Sequence, residues 1–207
     1  MTTSTRALLT DPANLITQFG LILGTIGIYA SLHREYDACI LLLLTAFAAD
    51  YIDGPVARRT RRRSDIAGAL GGILDSISDV VCHSVAPALM LLCYEGLAVH
   101  HLPVAVFFVL AGAVRMARNT VEGGISSATY RGLNSDTNIV ILAMVFLVEP
   151  VVPVEVFANF FAIVLLVTGL LNLSTIPVPK VRGRGYYFVA AWTIGVGTVF
   201  AIRLAAT

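Results

Sequence analysis

The stretch Asp50-Tyr-Ile-Asp53-Gly54-Pro-Val-Ala57-Arg58, then an arginine-rich connector, then Gly71-Gly-Ile-Leu-Asp75-Ser-Ile-Ser-Asp79 decides how this chain is read. Four carboxylates lie here among apolar residues. Asp50 and Asp53 are three positions apart and Asp75 and Asp79 four, so on helices each pair leaves from one face. Carboxylates cannot share a low-dielectric pocket unless protons, basic groups or metal cations neutralise them. An all-oxygen donor set suits a hard divalent ion such as Mg²⁺, Mn²⁺ or Ca²⁺.

Around that stretch, the 207 residues are 57% hydrophobic and only 13% charged, with a strongly positive mean hydropathy. Such a composition predicts a single polytopic membrane domain, an all-α helical bundle. The net charge of +1 gives no ground for a nucleic-acid partner. Cys39, Cys82 and Cys93 sit in apolar stretches without metal-type spacing and read as buried free thiols. Residues 1–12 form a short polar segment, expected to be cytoplasmic, that lacks the pattern of a cleaved signal peptide.

Apolar segments of the roughly 20 residues needed to cross hydrocarbon fall at 13–32, 37–57, 68–94, 102–120, 135–149, 154–176 and 186–205. The fifth is the shortest. Asn134, Asp136 and Asn138 make its opening polar and Glu149-Pro150 closes it early, so the count is six or seven. With the N-terminus inside, twelve of the fourteen basic residues fall on one side, and Arg34 and Arg203 on the other. Basic loops stay in the cytoplasm, which predicts that the four aspartates face it.

The pattern Asp-x2-Asp-Gly-x2-Ala-Arg followed by Gly-x3-Asp-x3-Asp resembles the signature of the CDP-alcohol phosphatidyltransferases, integral-membrane enzymes that make phospholipids. Asp50, Asp53, Gly54, Ala57, Arg58, Gly71, Asp75 and Asp79 all match it. The twelve residues 59–70 are a longer spacer than the family's usual one. The excess is about one helical turn, which a longer connector can absorb. The first span opens Pro12-x-Asn14-x-x-Thr17, which also resembles the family. The resemblance implies a site in which Asp50, Asp53, Asp75 and Asp79 hold divalent cations, two ions of Mg²⁺ or Mn²⁺, and Asp79 takes the proton of the acceptor alcohol. It implies that Asn14, Thr17, Asp50, Asp53, Gly54, Ala57, Arg58, Gly71 and Asp75 surround the CDP moiety. A homodimer in a bacterial plasma membrane is implied as well. Asn14 is open to a second reading, as an ordinary helix cap.

Asp75-Ser-x-x-Asp79 followed by Val85-Ala-Pro87-Ala resembles the phosphatidylserine synthase branch, as does Arg115-x-Ala-Arg118 with Tyr130-x-Gly132-Leu133 downstream. The chain departs from that branch at Cys82-His83 and at Asn134 and Asp136. On this resemblance the donor is CDP-diacylglycerol, the acceptor L-serine, and CMP leaves. The departures keep glycerol 3-phosphate, an inositol phosphate or another hydroxylated metabolite open as acceptors. His83, Arg115, Arg118 and Arg131 are candidates for holding the acceptor or a lipid phosphate. The competing readings are an interior histidine with its needs met and arginines that serve as positive-inside anchors of the chain.

Other features concern the scaffold. Small residues along the second and third spans allow close helix packing, which would bring the aspartate pairs together. Ser64 or Asp65 is expected to cap the third span, Pro55 to kink or end the second, and Pro87 to bend the third and free a carbonyl. His100 and His101 are expected in solvent in the opposite loop. Acidic residues in membrane helices also mark ion pathways. A cation transporter is the more distant reading, because these acids gather at the ends of adjacent helices and no internal repeat is visible.

Overall fold

Helix termini are set by local chemistry that the sequence displays. In the structure, a computed structural model that describes residues 3–60, 63–122, 129–179 and 184–206, a short helix α1 (Thr3–Thr10) occupies the polar N-terminal segment. Asp11 then caps α2 (Pro12–Leu32), its carboxylate accepting from the Asn14 amide at 3.1 Å, with Pro12 in the first turn. The cap is therefore Asp11, and the reading of Asn14 as a cap is corrected. Helix α3 (Tyr36–Arg59) runs on through Pro55, which neither ends it nor marks its boundary. Ser64, not Asp65, caps α4 (Asp65–Val80) by accepting from the Ala67 amide at 3.1 Å.

A π-helical turn, Val81–Val85, joins α4 to α5 (Ala86–Tyr94) and completes the third crossing. Pro87 supplies no N–H, so the carbonyl four residues back, that of His83, loses its helical donor. Asn138 replaces it, its Nδ2 donating to the His83 oxygen at 3.2 Å. A carbonyl freed by proline in lipid needs such a substitute. Helix α6 (Leu102–Glu122) brings the chain back towards the α3–α4 connector.

Strand β1 (Thr129–Arg131) pairs antiparallel with β2 (Pro177–Pro179), Tyr130 opposite Val178. This three-residue ribbon is an addition to the all-α expectation, and it ties the segment before α7 (Ser135–Leu147) to the segment after α8 (Val154–Leu173). The chain closes with α9 (Arg184–Ala206).

Six helical runs among the described residues are long and apolar enough to cross a membrane: Pro12–Leu32, Tyr36–Arg59, Asp65–Tyr94, Val99–Val121, Val154–Leu173 and Tyr187–Ala206. Helix α7 has 13 residues, about 20 Å against a hydrocarbon core of about 30 Å. Its ends are completed from outside the helix. At its C-terminus the Arg203 guanidinium donates to the Phe146 and Leu147 carbonyls at 2.9 and 2.7 Å, and also lies 3.7 Å from Asp37. The 3-10 turn that follows offers Glu149 to the Tyr94 hydroxyl at 2.8 Å.

That end of the bundle is cemented by rings, with Phe146 edge-on to Phe157 and Phe161 at 5.0 and 5.1 Å and Tyr94 against Phe157 at 4.9 Å. Outward-facing Ile22, Ile26, Leu110, Val114, Ile163 and Ile194 are exposed, as lipid contact requires. The cysteines are free and buried, as their apolar setting predicts. His101 corrects the expectation of solvent: it is 2% exposed and hydrogen-bonded to Glu95 at 2.9 Å, while His100 lies open beside the same carboxylate.

Candidate functional site

Helices α3 and α4 carry the aspartates, and α2 lies against both. The carboxylates of Asp50, Asp75 and Asp79 offer donor atoms that all lie within 4.8 Å of one another. Three acids from two helices therefore point at one volume, despite the long spacer before Gly71. Asp53 is held differently. The Thr17 hydroxyl donates to its Oδ2 at 2.5 Å, so α2 fixes its orientation beside the trio rather than within it. Asp75 Oδ1 is buried with no hydrogen-bond partner, an arrangement that costs free energy unless a proton or a cation meets it.

The residues expected around the nucleotide divide between a helix junction and an open helix face. Asn14 is fully buried, its Nδ2 donating to the Ala67 carbonyl at 3.1 Å while its Oδ1 accepts from Arg63 at 2.8 Å. Arg63 also approaches Asp11 at 3.3 Å. Asn14 thus fastens α2 to the first turn of α4, and one connector arginine is engaged inside the protein. Arg61 and Arg62 lie outside the described residues. Gly71 faces this junction: a Cβ there would collide with Asn14 Oδ1 and come within 2.6 Å of an Arg63 nitrogen. Gly54 and Ala57 are half-buried on α3, and Arg58 is exposed, a guanidinium nitrogen 3.4 Å from where a Gly54 Cβ would sit.

A second group shares Asp79. His83, on the π-helical turn, is 2% exposed, with Nδ1 3.3 Å from Asp79 Oδ1 but out of hydrogen-bond geometry. Donor atoms of Asp79, His83 and Asp136 also lie within 4.8 Å of one another. Asp136 stands in the first turn of α7, where its Oδ2 accepts from Asn134 at 2.5 Å. Asn134 in turn accepts from Arg115 at 2.5 Å, and the same guanidinium donates to the Ser135 hydroxyl. Arg115 is 1% exposed, so its reading as a positive-inside anchor is corrected. It holds the first turn of α7 from inside the bundle. Arg118 donates to the Ser174 carbonyl at 3.3 Å. The Arg131 side chain lies outside the described residues, and its backbone belongs to β1.

Of the residues expected around the reaction centre, the structure brings Asp50, Asp75, Asp79 and His83 together. Asp136 and Asn138 join them, although the sequence marked Asp136 only as a departure and Asn138 only as a polar position. Their signal was the polar run Ser135 to Asn138 at the start of an otherwise apolar helix.

Comparisons with known proteins place the sequence in a family. The sequence profile of the CDP-alcohol phosphatidyltransferase family matches residues 11–201. An archaetidylserine synthase of Methanothermobacter thermautotrophicus is 28% identical over 179 residues, covering 83% of this chain and 71% of that protein. A CDP-diacylglycerol–serine O-phosphatidyltransferase of Methanocaldococcus jannaschii is 30% identical over 195 residues, 87% of this chain and 88% of the other. Its Helicobacter pylori (strain J99) counterpart is 36% identical over 116 residues, 55% of this chain and 47% of that one. With the acidic centre between α3 and α4 and a match over nearly its whole length, the chain belongs to the CDP-alcohol phosphatidyltransferase family, as an integral-membrane enzyme of phospholipid synthesis.

Proposed function

We propose that this enzyme transfers the phosphatidyl group of CDP-diacylglycerol to L-serine, releasing CMP, at the Asp50–Asp75–Asp79 centre on the cytoplasmic side of the membrane. The observation that carries the reading is the convergence of three carboxylates from two helices within 4.8 Å. The donor set fits the divalent cations that the family uses. It is all oxygen, it concentrates like charge, and it leaves Asp75 Oδ1 buried without a partner. Asp50, Asp75 and Asp79 would hold such ions, Mg²⁺ or Mn²⁺, with Asp53 steadied by Thr17 beside them. When bound, the cations supply neutralisation of the pyrophosphate charge.

The protein's own residues do the rest. Asp79 accepts the proton of the acceptor hydroxyl as its oxygen attacks the lipid-side phosphorus, and the bond from that phosphorus to the bridging oxygen breaks as CMP departs. Gly54 and Ala57 leave the α3 surface low enough for a nucleotide to lie against it, and Arg58 stands exposed at its edge. Serine as acceptor rests on the similarity to serine-transferring relatives and on the Asp79–His83–Asp136 group. The purified enzyme is incubated with CDP-diacylglycerol and, in turn, L-serine, glycerol 3-phosphate and an inositol phosphate while CMP is measured. Serine-dependent release supports the assignment, release with another alcohol alone replaces the acceptor, and no release with any of them overturns the reading. A homodimer in the membrane belongs to the same proposal.

A further inference from the structure

Three of the residues at which the sequence departs from the serine-synthase pattern, His83, Asn134 and Asp136, meet in space. His83 comes from the π-helical turn and Asp136 from α7, yet their donor atoms and those of Asp79 lie within 4.8 Å of one another. The site is built rather than incidental. His83 is buried with Nδ1 outside hydrogen-bond geometry, its carbonyl is held by Asn138, and Asp136 is held through Asn134 by the buried Arg115. We propose that Asp136 is the specificity-determining residue for the acceptor: its carboxylate reads an ammonium group borne next to the attacking hydroxyl, and His83 is the positioning residue between it and Asp79. The substrate class is a 1,2-amino alcohol.

The argument is one of charge and reach. A hydroxyl that gives its proton to Asp79 must sit beside that carboxylate. A group two carbons away is then within hydrogen-bond reach of Asp136, whose donor atom lies within 4.8 Å of that of Asp79. With the Asp79 charge taken up by the cations it shares, Asp136 sets the local potential: its carboxylate attracts an ammonium there and repels a phosphate. The ordinary alternative is that Asp136 merely complements the N-terminal dipole of α7. In that case its loss would weaken the helix and lower turnover of every acceptor alike.

The inference rests on the transferase reading, and the test separates the two. CMP release is measured for wild type, Asp136→Asn, Asp136→Glu and His83→Gln with L-serine, ethanolamine and glycerate, which is serine with a hydroxyl in place of its amine. Wild type is expected to prefer both amines to glycerate. In Asp136→Asn, which retains an oxygen for the Asn134 contact, KM for L-serine rises by about 10- to 100-fold more than KM for glycerate; Asp136→Glu restores much of the preference. In His83→Gln, kcat falls for all acceptors and the amine preference remains. Equal losses for amine and non-amine acceptors in Asp136→Asn, or a wild type that turns over only phosphorylated or neutral alcohols, would overturn the inference and leave the transferase reading intact. Thermal stability of each variant is measured alongside, and an unfolded Asp136→Asn leaves the Glu variant and the wild-type acceptor preference to decide.

Discussion

Asp79 is common to both groups of donors, the three carboxylates on one side and the His83–Asp136 pair on the other. Asp79→Asn keeps the size and polarity of the side chain but cannot take a proton, so turnover is expected to fall by about 100- to 10,000-fold, a larger loss than that of CDP-lipid affinity, to which Asp50 and Asp75 still contribute. Near-wild-type CMP release by this variant would remove Asp79 from its role. A second residue is governed by backbone geometry. Gly132 has φ of +78°, and a Cβ on it would come within 2.6 Å of the Asn172 carbonyl and 2.8 Å of the Ser174 carbonyl. Gly132→Ala is expected to cost about 1–3 kcal/mol, read as a lower Tm of the detergent-solubilised protein. The aspartate motif was legible in the sequence because helical spacing alone puts Asp75 and Asp79 on one face. Asp136 was not, because its neighbours in space come from α4 and the π-helical turn, more than fifty positions upstream.

The π-helical turn and α7 depend on each other. Pro87 strips the His83 carbonyl of its helical donor and Asn138 supplies another, so the two positions must be coupled. Asn138→Leu is expected to destabilise the fold by about 1–3 kcal/mol. When Pro87→Ala is combined with Asn138→Leu, part of that loss returns, because an alanine in place of the proline brings back an N–H. Strictly additive effects in this double-mutant cycle would contradict the coupling. Sequence alone located the bend at Pro87 and the freed carbonyl, since both follow from the missing N–H. The group that answers it is a tertiary fact. The fifth apolar segment shows the same limit: its polar opening and early Glu149-Pro150 stop were visible, but completion of its ends by Arg115 and Arg203 comes from α6 and α9. Arg115 looked like a loop anchor because it lies in a basic cluster near a helix end, and only packing reveals that the cluster is split between surface and interior.

At the scale of the whole molecule, the two ends of the bundle differ in chemistry. One end gathers Asp37, Tyr94, Glu149 and Arg203, the other Asp11, Arg63 and the acidic centre. The excess of basic residues at the second end supports the proposal that it faces the cytoplasm. With the three native cysteines buried, a cysteine introduced at exposed Val99 or Val151 in intact cells is expected to react with a membrane-impermeant maleimide, and one at Arg58 to react only after lysis. The reverse pattern would invert the orientation. The fold class, the crossings and the acidic centre were legible because lipid imposes long apolar runs and because the motif is local. The β1–β2 ribbon was not legible, since strands of three residues, one of them Pro-Val-Pro, carry no alternating pattern. The account stands on carboxylates of α3 and α4 sharing cations. Binding of Mn²⁺ to the purified protein, followed by electron paramagnetic resonance, tests it most directly. Wild type should bind the ion tightly and Asp50→Asn and Asp75→Asn should each lose most of that binding; Mn²⁺ bound equally well by all three proteins would contradict it.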